Sequence, residues 1–310
     1  MGTAAETWRT RPLYDIEKVA VFKKLVSAGR ELVFAELTLD GQTLRYSMSS
    51  PASEWRIQTL FTKEPGTIDW LRSFRRGDVY VDVGANVGMY GMYAGVIAGA
   101  RVYAFEPEAQ NFAELCRSIY LNAAHETIVA YCAAICDVPI AYSRLLLNDM
   151  RTGLSYHDFG EPSRPYDQTQ RFAQGCVGFS LDHLVQSGAI PVPDHVKIDV
   201  DGHERKVIDG MRGLLESRAI RTLLLECDPA LPHTRDIVSG LLRGGWQVNP
   251  DQVRLTRTGI RPADAAMAEV VEGVYGGNII FGRSAEDLAF ASRALERFSP
   301  EDLERMGQAA

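Results

Sequence analysis

The amino-acid sequence predicts an α/β fold built on a doubly wound, mostly parallel sheet. Apolar runs of strand length recur from residue 79 onward, at 79–83, 101–105, 128–134, 195–200 and 220–226. Segments with helical spacing of apolar residues separate these runs, at 89–97, 109–122, 203–216 and 235–243. Strands that are buried on both faces read as continuous apolar runs, and the helices between them allow neighbouring strands to run parallel.

The first quarter of the chain, residues 1–75, is predicted to form an accessory cap. Helical spacing of apolar residues predicts a helix over 14–28. An Asp-Gly pair at 40–41, between two stretches of alternating apolar residues, predicts a two-residue β-hairpin. Residues 53–74 predict one or two helices that are interrupted at Pro65.

The main domain is predicted to span residues 76–283, with a long insertion at 138–179. The middle of the insertion is polar and rich in turn-forming residues, which is typical of a lid or a binding loop. The last two strands are expected to be joined without a full helix and to form an antiparallel pair at one edge of the sheet. The tail 284–310 is predicted to be helical, with a helix start at Ser299.

Composition narrows the class of protein. The 310 residues are 46% hydrophobic and 24% charged, with a formal net charge of −7, which disfavours nucleic acid and anionic membranes as partners. No run approaches the ~18 apolar residues of a membrane helix, and the first twelve residues lack the apolar core of a signal peptide. The cysteine count is odd, five in all, and predicts reduced thiols. We therefore expect a cytoplasmic protein.

The stretch "YVDVGANVGMYG" predicts a nucleotide site at a strand-to-helix turn. Gly84 matches the first glycine of the dinucleotide pattern G-x-G-x-x-G, but Asn86 and Met89 replace the other two. Those glycines allow close approach of a pyrophosphate and close packing of helix and strand, so their absence argues against NAD or FAD. The remaining pattern, from Asp82 to Gly88, suits a ligand without phosphates.

An acidic residue, Glu106, follows the second apolar run, 18 residues after Gly88. An acid at this position accepts hydrogen bonds from ribose hydroxyls. S-adenosyl-L-methionine satisfies both halves of the pattern, because Asp82 would lie near its amino group and the glycine turn would face its methionine part. Ala85 and Pro107, which flank these residues, complete the predicted cofactor site.

The quoted loop, together with "VYAFEPE", "SLDHL" and "VKIDVDGHERKVIDGM", resembles the FkbM-type S-adenosylmethionine-dependent methyltransferases over about 76–283. Members of that family commonly have Glu where this chain has Asp201. The resemblance implies a class I methyltransferase (Rossmann-like) fold. It also implies O-methylation of a hydroxyl on a sugar, glycoside or polyketide-like natural product, with S-adenosyl-L-homocysteine as the second product.

The fourth strand is expected to supply the catalytic residues. Asp199 lies near its carboxyl end, where doubly wound sheets bind their ligands. His203 is the predicted base that removes the hydroxyl proton, because imidazole titrates near neutral pH. Asp201 and Glu204 are predicted to contact the acceptor. The alternative is that Asp201, His203 and Glu204 only cap the helix that follows, since acids stabilise helix N-termini.

A divalent metal is the other alternative for this strand end. Asp199 with Glu226 or Asp228 would offer the oxygen ligands that Mg²⁺ prefers. The family resemblance does not imply an obligatory metal, so none is predicted. Activity that survives exhaustive chelation would eliminate it.

Further candidate residues come from the loops. Ala133 and Ala134, at the end of the third run, are predicted to contact the adenine. Arg151 and Tyr156, in the insertion, are predicted to contact the acceptor. Glu64 precedes the first strand and could reach the cofactor across the cap, but it is interpreted as a surface acid.

Other classes of function remain open from the sequence. An N-methyltransferase would share the cofactor site, a nicotinamide-dependent oxidoreductase is disfavoured by the missing glycines, and a noncatalytic subunit is disfavoured by the intact loop. The cap and the C-terminal helices offer an interface for a homo-oligomer.

Overall fold

The computed structural model describes residues 20–27, 30–163, 172–254, 263–272 and 276–295. The strands are β1 (Ala20–Ser27), β2 (Arg30–Leu39), β3 (Gln42–Ser47), β4 (Val79–Val83), β5 (Arg101–Phe105), β6 (Ile128–Tyr131), β7 (Ala134–Ile135), β8 (Ile140–Leu147), β9 (Asp158–Phe159), β10 (Phe172–Phe179), β11 (His195–Ile198), β12 (Thr222–Cys227), β13 (Gln247–Val248) and β14 (Gly277–Gly282). The helices are α1 (Pro51–Gln58), α2 (Pro65–Arg72), α3 (Met89–Tyr93, continued by a π turn over Ala94–Ala98), α4 (Ala109–Leu121), α5 (Leu181–Gln186), α6 (Glu204–Asp209), α7 (Arg212–Ser217), α8 (Pro232–Arg243), α9 (Pro250–Arg254), α10 (Ala263–Glu272) and α11 (Phe290–Leu295).

A seven-stranded sheet forms the centre of the molecule, in the order β13-β14-β12-β11-β4-β5-β6. Neighbours pair in parallel except β14, which is antiparallel to both β12 and β13. The sheet therefore confirms the predicted doubly wound fold. Strand order runs outward in both directions from the β4–β11 pair, and such a switch point is where ligands bind, outside the carboxyl ends of the strands.

The two central strands are buried throughout, as their continuous apolar runs predict. Alternate residues of β4 face two different cores. Tyr80 packs with the hairpin β2–β3 and with α2 and α3, whereas Val81 and Val83 pack with the helices that follow β11. Strand β4 thus lies at the bottom of the site, held by apolar packing on both faces.

Two expectations about the N-terminal segment have different outcomes. The predicted helix over 14–28 is wrong where the chain is described, since β1 pairs antiparallel with β2 over its whole length. Cross-strand ion pairs of Lys23 with Glu36 and of Lys24 with Glu31 replace the helical packing that the apolar spacing suggested. The predicted hairpin at 40–41 is confirmed, and both turn residues have positive φ, 49° and 79°.

The insertion over 138–179, predicted to be a lid or a binding loop, contains regular strands. Its ends are β8 and β10, which pair antiparallel along eight residues, with β7 and β9 beside them. Burial alternates along β8, with Ile140, Tyr142 and Arg144 exposed, but its sequence does not alternate polar and apolar residues and so gave no strand signal. Between β8 and β10, the described residues 148–157 and 160–163 lie outside the strands.

Two further predicted features differ from the structure, and a third lies outside the described residues. The helix predicted over 203–216 divides into α6 and α7 at Gly210, where a Cβ atom would come within 2.0 Å of the Cys136 carbonyl oxygen. Strands β13 and β14 form the expected antiparallel edge pair, but α9 and α10 lie between them in the chain. The helix start at Ser299 lies outside the described residues. No helix in the described part of the chain is long and apolar enough to cross a membrane.

Candidate active site

A cavity of about 230 Å³ opens at the carboxyl ends of β4 and β11, at the switch point of the sheet. We call it the reaction cleft. Residues from five parts of the chain line it: Trp55, Arg56, Lys63, Gly84, Asn86, Ser155, Tyr156, Asp199, Asp201 and Glu226. The structure thus brings the predicted glycine loop and the predicted acids of the fourth strand into one site.

The glycine loop owes its shape to the backbones around it. Gly84 has φ of 80°, and a Cβ atom there would lie 1.9 Å from the carbonyl oxygen of Asp199. Only glycine allows β4 and β11 to approach each other this closely at their ends. Asn86 also has positive φ, and its side-chain amide donates a hydrogen bond to the carbonyl of Leu154 in the insertion. The loop therefore connects the sheet to the wall of the cleft.

Glu106 lies at the end of β5 and is 4% exposed. Its two oxygens accept hydrogen bonds from the backbone N–H groups of Asn86, at 2.7 Å, and Glu108, at 2.9 Å. Burial raises the pKa of Glu106 to about 7, and these two hydrogen bonds oppose the rise. Each carboxylate oxygen keeps a second lone pair for a ligand hydroxyl.

A second, smaller cavity of about 40 Å³ adjoins the cleft, and Gly84 lines both. We call it the apolar slot. Its lining is mostly hydrophobic: Val83, Gly84, Phe105, Pro107, Ala133, Ala134, Ile135, Leu145, His157, Phe159, Val200 and His203. The predicted adenine contacts Ala133 and Ala134 lie here, as does Pro107. Ala85 is buried and lines neither cavity.

Three carboxylates, Asp199, Asp201 and Glu226, meet in the reaction cleft, with oxygens that all lie within 4.8 Å of one another. The negative charge of Asp199, followed by burial, raises the pKa of Glu226 to about 10, so Glu226 holds a proton at neutral pH. Burial and then Asp199 raise the pKa of Asp201 to about 6. Such a group of oxygens could also hold a divalent cation.

Lys197 lies directly behind this group and is 2% exposed. Its Nζ is 2.7 Å from Asp199 Oδ2 and 3.9 Å from Asp82 Oδ1. Burial opposes ionisation of Asp199, but Lys197 and then Lys63 hold its pKa below the usual range. Sequence reasoning missed Lys197, although a lysine inside an apolar strand was the available signal.

Asp82 lies farther from the cleft than predicted. It is completely buried beneath α3, and a Cβ atom on Gly91 would lie 3.0 Å from its Oδ2. Burial raises its pKa, and Lys197 opposes the rise. Asp82 lines neither cavity, so it influences the cleft through Lys197. Direct contact of Asp82 with an amino group stays a prediction.

His203 lies in the apolar slot rather than in the reaction cleft. Its Nε2 is 3.0 Å from Asp158 Oδ1, on the short strand β9 of the insertion. Glu204 accepts hydrogen bonds from the backbone N–H groups of Val200 and Gly202, which shapes the turn before α6. A catalytic role for His203 stays a prediction, as does acceptor contact by Glu204. Sequence reasoning missed Asp158, which no motif marks.

The remaining candidates divide between the cleft and the surface. Tyr156 lines the cleft, and its backbone N–H donates a hydrogen bond to Asp201 Oδ2 at 3.1 Å. Arg151 is exposed, pairs with Asp149 and does not line the cleft. The interpretation of Glu64 as a surface acid is wrong: it is 3% exposed and lies 2.7 Å from Lys63 Nζ.

Comparisons with known proteins give a family match and a relative. Residues 82–242 match the family model described as the methyltransferase FkbM domain. The hexuronic acid methyltransferase AglP of Haloferax volcanii is 28% identical over 211 residues, which cover 65% of this chain and 79% of that protein.

Two solved structures illustrate the more distant similarities. Precorrin-6y C5,15-methyltransferase from Geobacter metallireducens has a TM-score of 0.36 and 15% identity, covering 66% of this chain and 79% of that one. TrmK from M. capricolum, in complex with S-adenosyl-homocysteine, has a TM-score of 0.35 and 8% identity, covering 59% and 58%.

Proposed function

This chain belongs to the FkbM methyltransferase family, and we propose that it transfers the methyl group of S-adenosyl-L-methionine to a hydroxyl of a sugar, glycoside or related natural product. The observation that supports this most directly is the pair of adjoining cavities at the switch point, one apolar and one acidic. The name of the AglP relative favours a sugar among these acceptors.

The residues of both cavities fit the cofactor. The apolar slot suits an adenine ring. Glu106 lines neither cavity but lies in the chain between Phe105 and Pro107 of the slot's lining, and its carboxylate suits the two ribose hydroxyls. The acidic group of Asp199, Asp201 and Glu226 suits a ligand that carries positive charge, because these carboxylates repel one another strongly enough to keep a proton on Glu226. A cation in the cleft would relieve that repulsion.

When bound, the sulfonium of S-adenosyl-L-methionine supplies an activated methyl group, so the protein need only position the acceptor and accept a proton. With the cofactor held in this way, an acceptor oxygen in line with its methyl carbon and its sulfur would take the methyl group. Alignment of these three atoms is the main source of acceleration. Asp199 and Asp201, on the cleft wall, can accept the hydrogen bond that orients the hydroxyl.

Two residues are candidates for the base that accepts the hydroxyl proton. Asp201 lines the cleft and has a pKa of about 6, which suits a base at neutral pH. His203, the residue predicted from sequence, is oriented by Asp158 but lies on the side of the apolar slot. Variants of the two residues separate these assignments.

Isothermal titration calorimetry with S-adenosyl-L-homocysteine tests the proposal, with NAD⁺ as the negative-control ligand. We expect binding of S-adenosyl-L-homocysteine and none of NAD⁺. The Glu106→Ala variant should bind more weakly, whereas a matched change of an exposed acid, Glu126→Ala, should not. Absence of binding at millimolar S-adenosyl-L-homocysteine would overturn the proposed function.

A further inference from the structure

One wall of the reaction cleft comes from α1, outside the residues that match the family model. Trp55 and Arg56, consecutive residues of this helix, both line the cleft. The Trp55 side chain is 51% exposed, and Tyr156, also in the lining, is 49% exposed. Large aromatic side chains left open beside a polar cavity offer a flat apolar surface to a ligand.

The α1 wall is fixed to the insertion by direct contacts. The Ser50 hydroxyl, at the N-cap of α1, donates to the carbonyl of Thr152 at 2.5 Å. Arg56 Nε donates to the carbonyl of Gly153 at 2.7 Å. A Cβ atom on Gly153 would lie 2.6 Å from the backbone nitrogen of Ser53, so the loop packs tightly against the start of the helix. Arg56 is therefore held in a defined position before any ligand binds.

Arg56 forms no ion pair within the described part of the protein, so its positive charge is not neutralised there by a carboxylate. Its Nε is used by Gly153, but none of the described carboxylates pairs with its guanidinium. Lys63, the other cation of the cleft, is in contrast paired with Glu64. A guanidinium fixed through Nε presents its two terminal nitrogens as a fork, which matches a carboxylate.

From these contacts we infer that the acceptor is an acidic sugar, whose carboxylate binds Arg56 while its ring lies against Trp55. The inference rests on the proposed function and names the substrate class of the same cleft. A pyranose ring has an apolar C–H face that packs on an indole, and its hydroxyls can then reach Asp199 and Asp201, which line the same cleft.

The acids of the cleft do not exclude an anionic acceptor. Glu226 is protonated, and the charge of Asp199 is balanced by Lys197 at 2.7 Å. Asp201 is the remaining acid, and Arg56 is among the groups that lower its pKa. The bound cofactor would add a sulfonium and an ammonium group to the same space. Its carboxylate would be the one added negative charge, so the bound cofactor would make the cleft more positive and favour an anionic acceptor.

Methyl transfer to p-nitrophenyl β-D-glucuronide and to p-nitrophenyl β-D-glucoside, which differ only at C6 (a carboxylate in the first, a hydroxymethyl group in the second), tests the inference. We expect the wild type to prefer the glucuronide by about tenfold or more in kcat/KM, the value of one charge-assisted hydrogen-bonded pair. Arg56→Gln should reduce glucuronide turnover by about that factor more than glucoside turnover, so that the preference for the glucuronide is lost. Trp55→Ala should lower kcat/KM for both, chiefly through KM.

Two matched variants control for general effects: Arg76→Gln removes an exposed arginine, and Tyr142→Ala removes an aromatic side chain that is 87% exposed. Both should behave as wild type. Binding of S-adenosyl-L-homocysteine, unchanged in all four variants, shows that they fold. Equal turnover of both sugars, an undiminished preference in Arg56→Gln, or turnover of neither sugar overturns the inference while cofactor binding persists. Loss of cofactor binding in the wild type would instead remove the proposed function and the inference with it.

Discussion

Cofactor binding should depend on pH through Glu106. In the free protein this carboxyl is 4% exposed, accepts two backbone hydrogen bonds and has a pKa of about 7. Only the ionised form can accept hydrogen bonds from both ribose hydroxyls while keeping those from Asn86 and Glu108. Binding therefore favours the ionised form, and affinity should be full above pH 7 and fall as the pH drops below it.

The size of the effect follows from the pKa. At pH 5.5, about 1.5 pH units below this pKa, Glu106 is mostly protonated and must lose its proton when the ligand binds. Removing that proton costs about 2 kcal/mol, so binding should be about 10- to 30-fold weaker than at pH 8. Calorimetric dissociation constants for S-adenosyl-L-homocysteine at the two pH values measure this directly. Glu106→Gln should bind about tenfold more weakly at pH 8 and show little pH dependence. An equal pH dependence in wild type and Glu106→Gln would refute the reasoning.

Two other residues give further predictions. Lys197→Met should lower the free energy of unfolding by about 3–5 kcal/mol, because it leaves Asp82 and Asp199 without their buried cation. Denaturant titration measures this loss, and the added change Asp199→Asn should restore part of it. If Asp201 is the base, Asp201→Asn should lower kcat about 100-fold and remove the rise of the rate with pH near 6, whereas His203→Gln should keep most turnover. The reverse result would assign the base to His203.

The sequence predicted the central sheet well, because local patterns of apolar residues determine the positions of its strands. The central strands are apolar throughout because both faces are buried, and their positions agree with the predicted runs to within a few residues. Gly84 and Glu106 were predictable for the same reason, since each lies at a fixed distance from a strand end. The cofactor side of the site therefore follows from motif and spacing.

The acceptor side of the site depends on contacts between distant segments. Trp55 and Arg56 belong to a helix with no motif, and they reach the cleft only because the insertion packs on α1 through Thr152 and Gly153. Asp158 lies 45 residues from His203 in the chain. Strand β1 was missed because pairing with β2 overrides a local apolar spacing that suits a helix.

Binding of the positively charged methyl donor should release the proton that Glu226 holds in the free protein. A cation about 5 Å from this carboxyl, at an effective dielectric constant near 20, favours its ionised form by about 3 kcal/mol. That energy lowers the pKa of Glu226 from about 10 to about 7 or 8, so binding at pH 8 should release about half a proton or more. S-adenosyl-L-homocysteine has a thioether in place of the sulfonium and should release fewer.

Calorimetry in buffers of different ionisation enthalpy counts the protons released by each ligand. We expect S-adenosyl-L-methionine to release more protons than S-adenosyl-L-homocysteine in the wild type, because only the former places a sulfonium beside Glu226. The difference should vanish in Glu226→Gln, which cannot ionise, and persist in Glu126→Gln, a change on the surface. Equal proton release by the two ligands in the wild type would mean that the sulfonium does not lie near this group. The acids of the cleft would then serve the acceptor rather than the methyl donor.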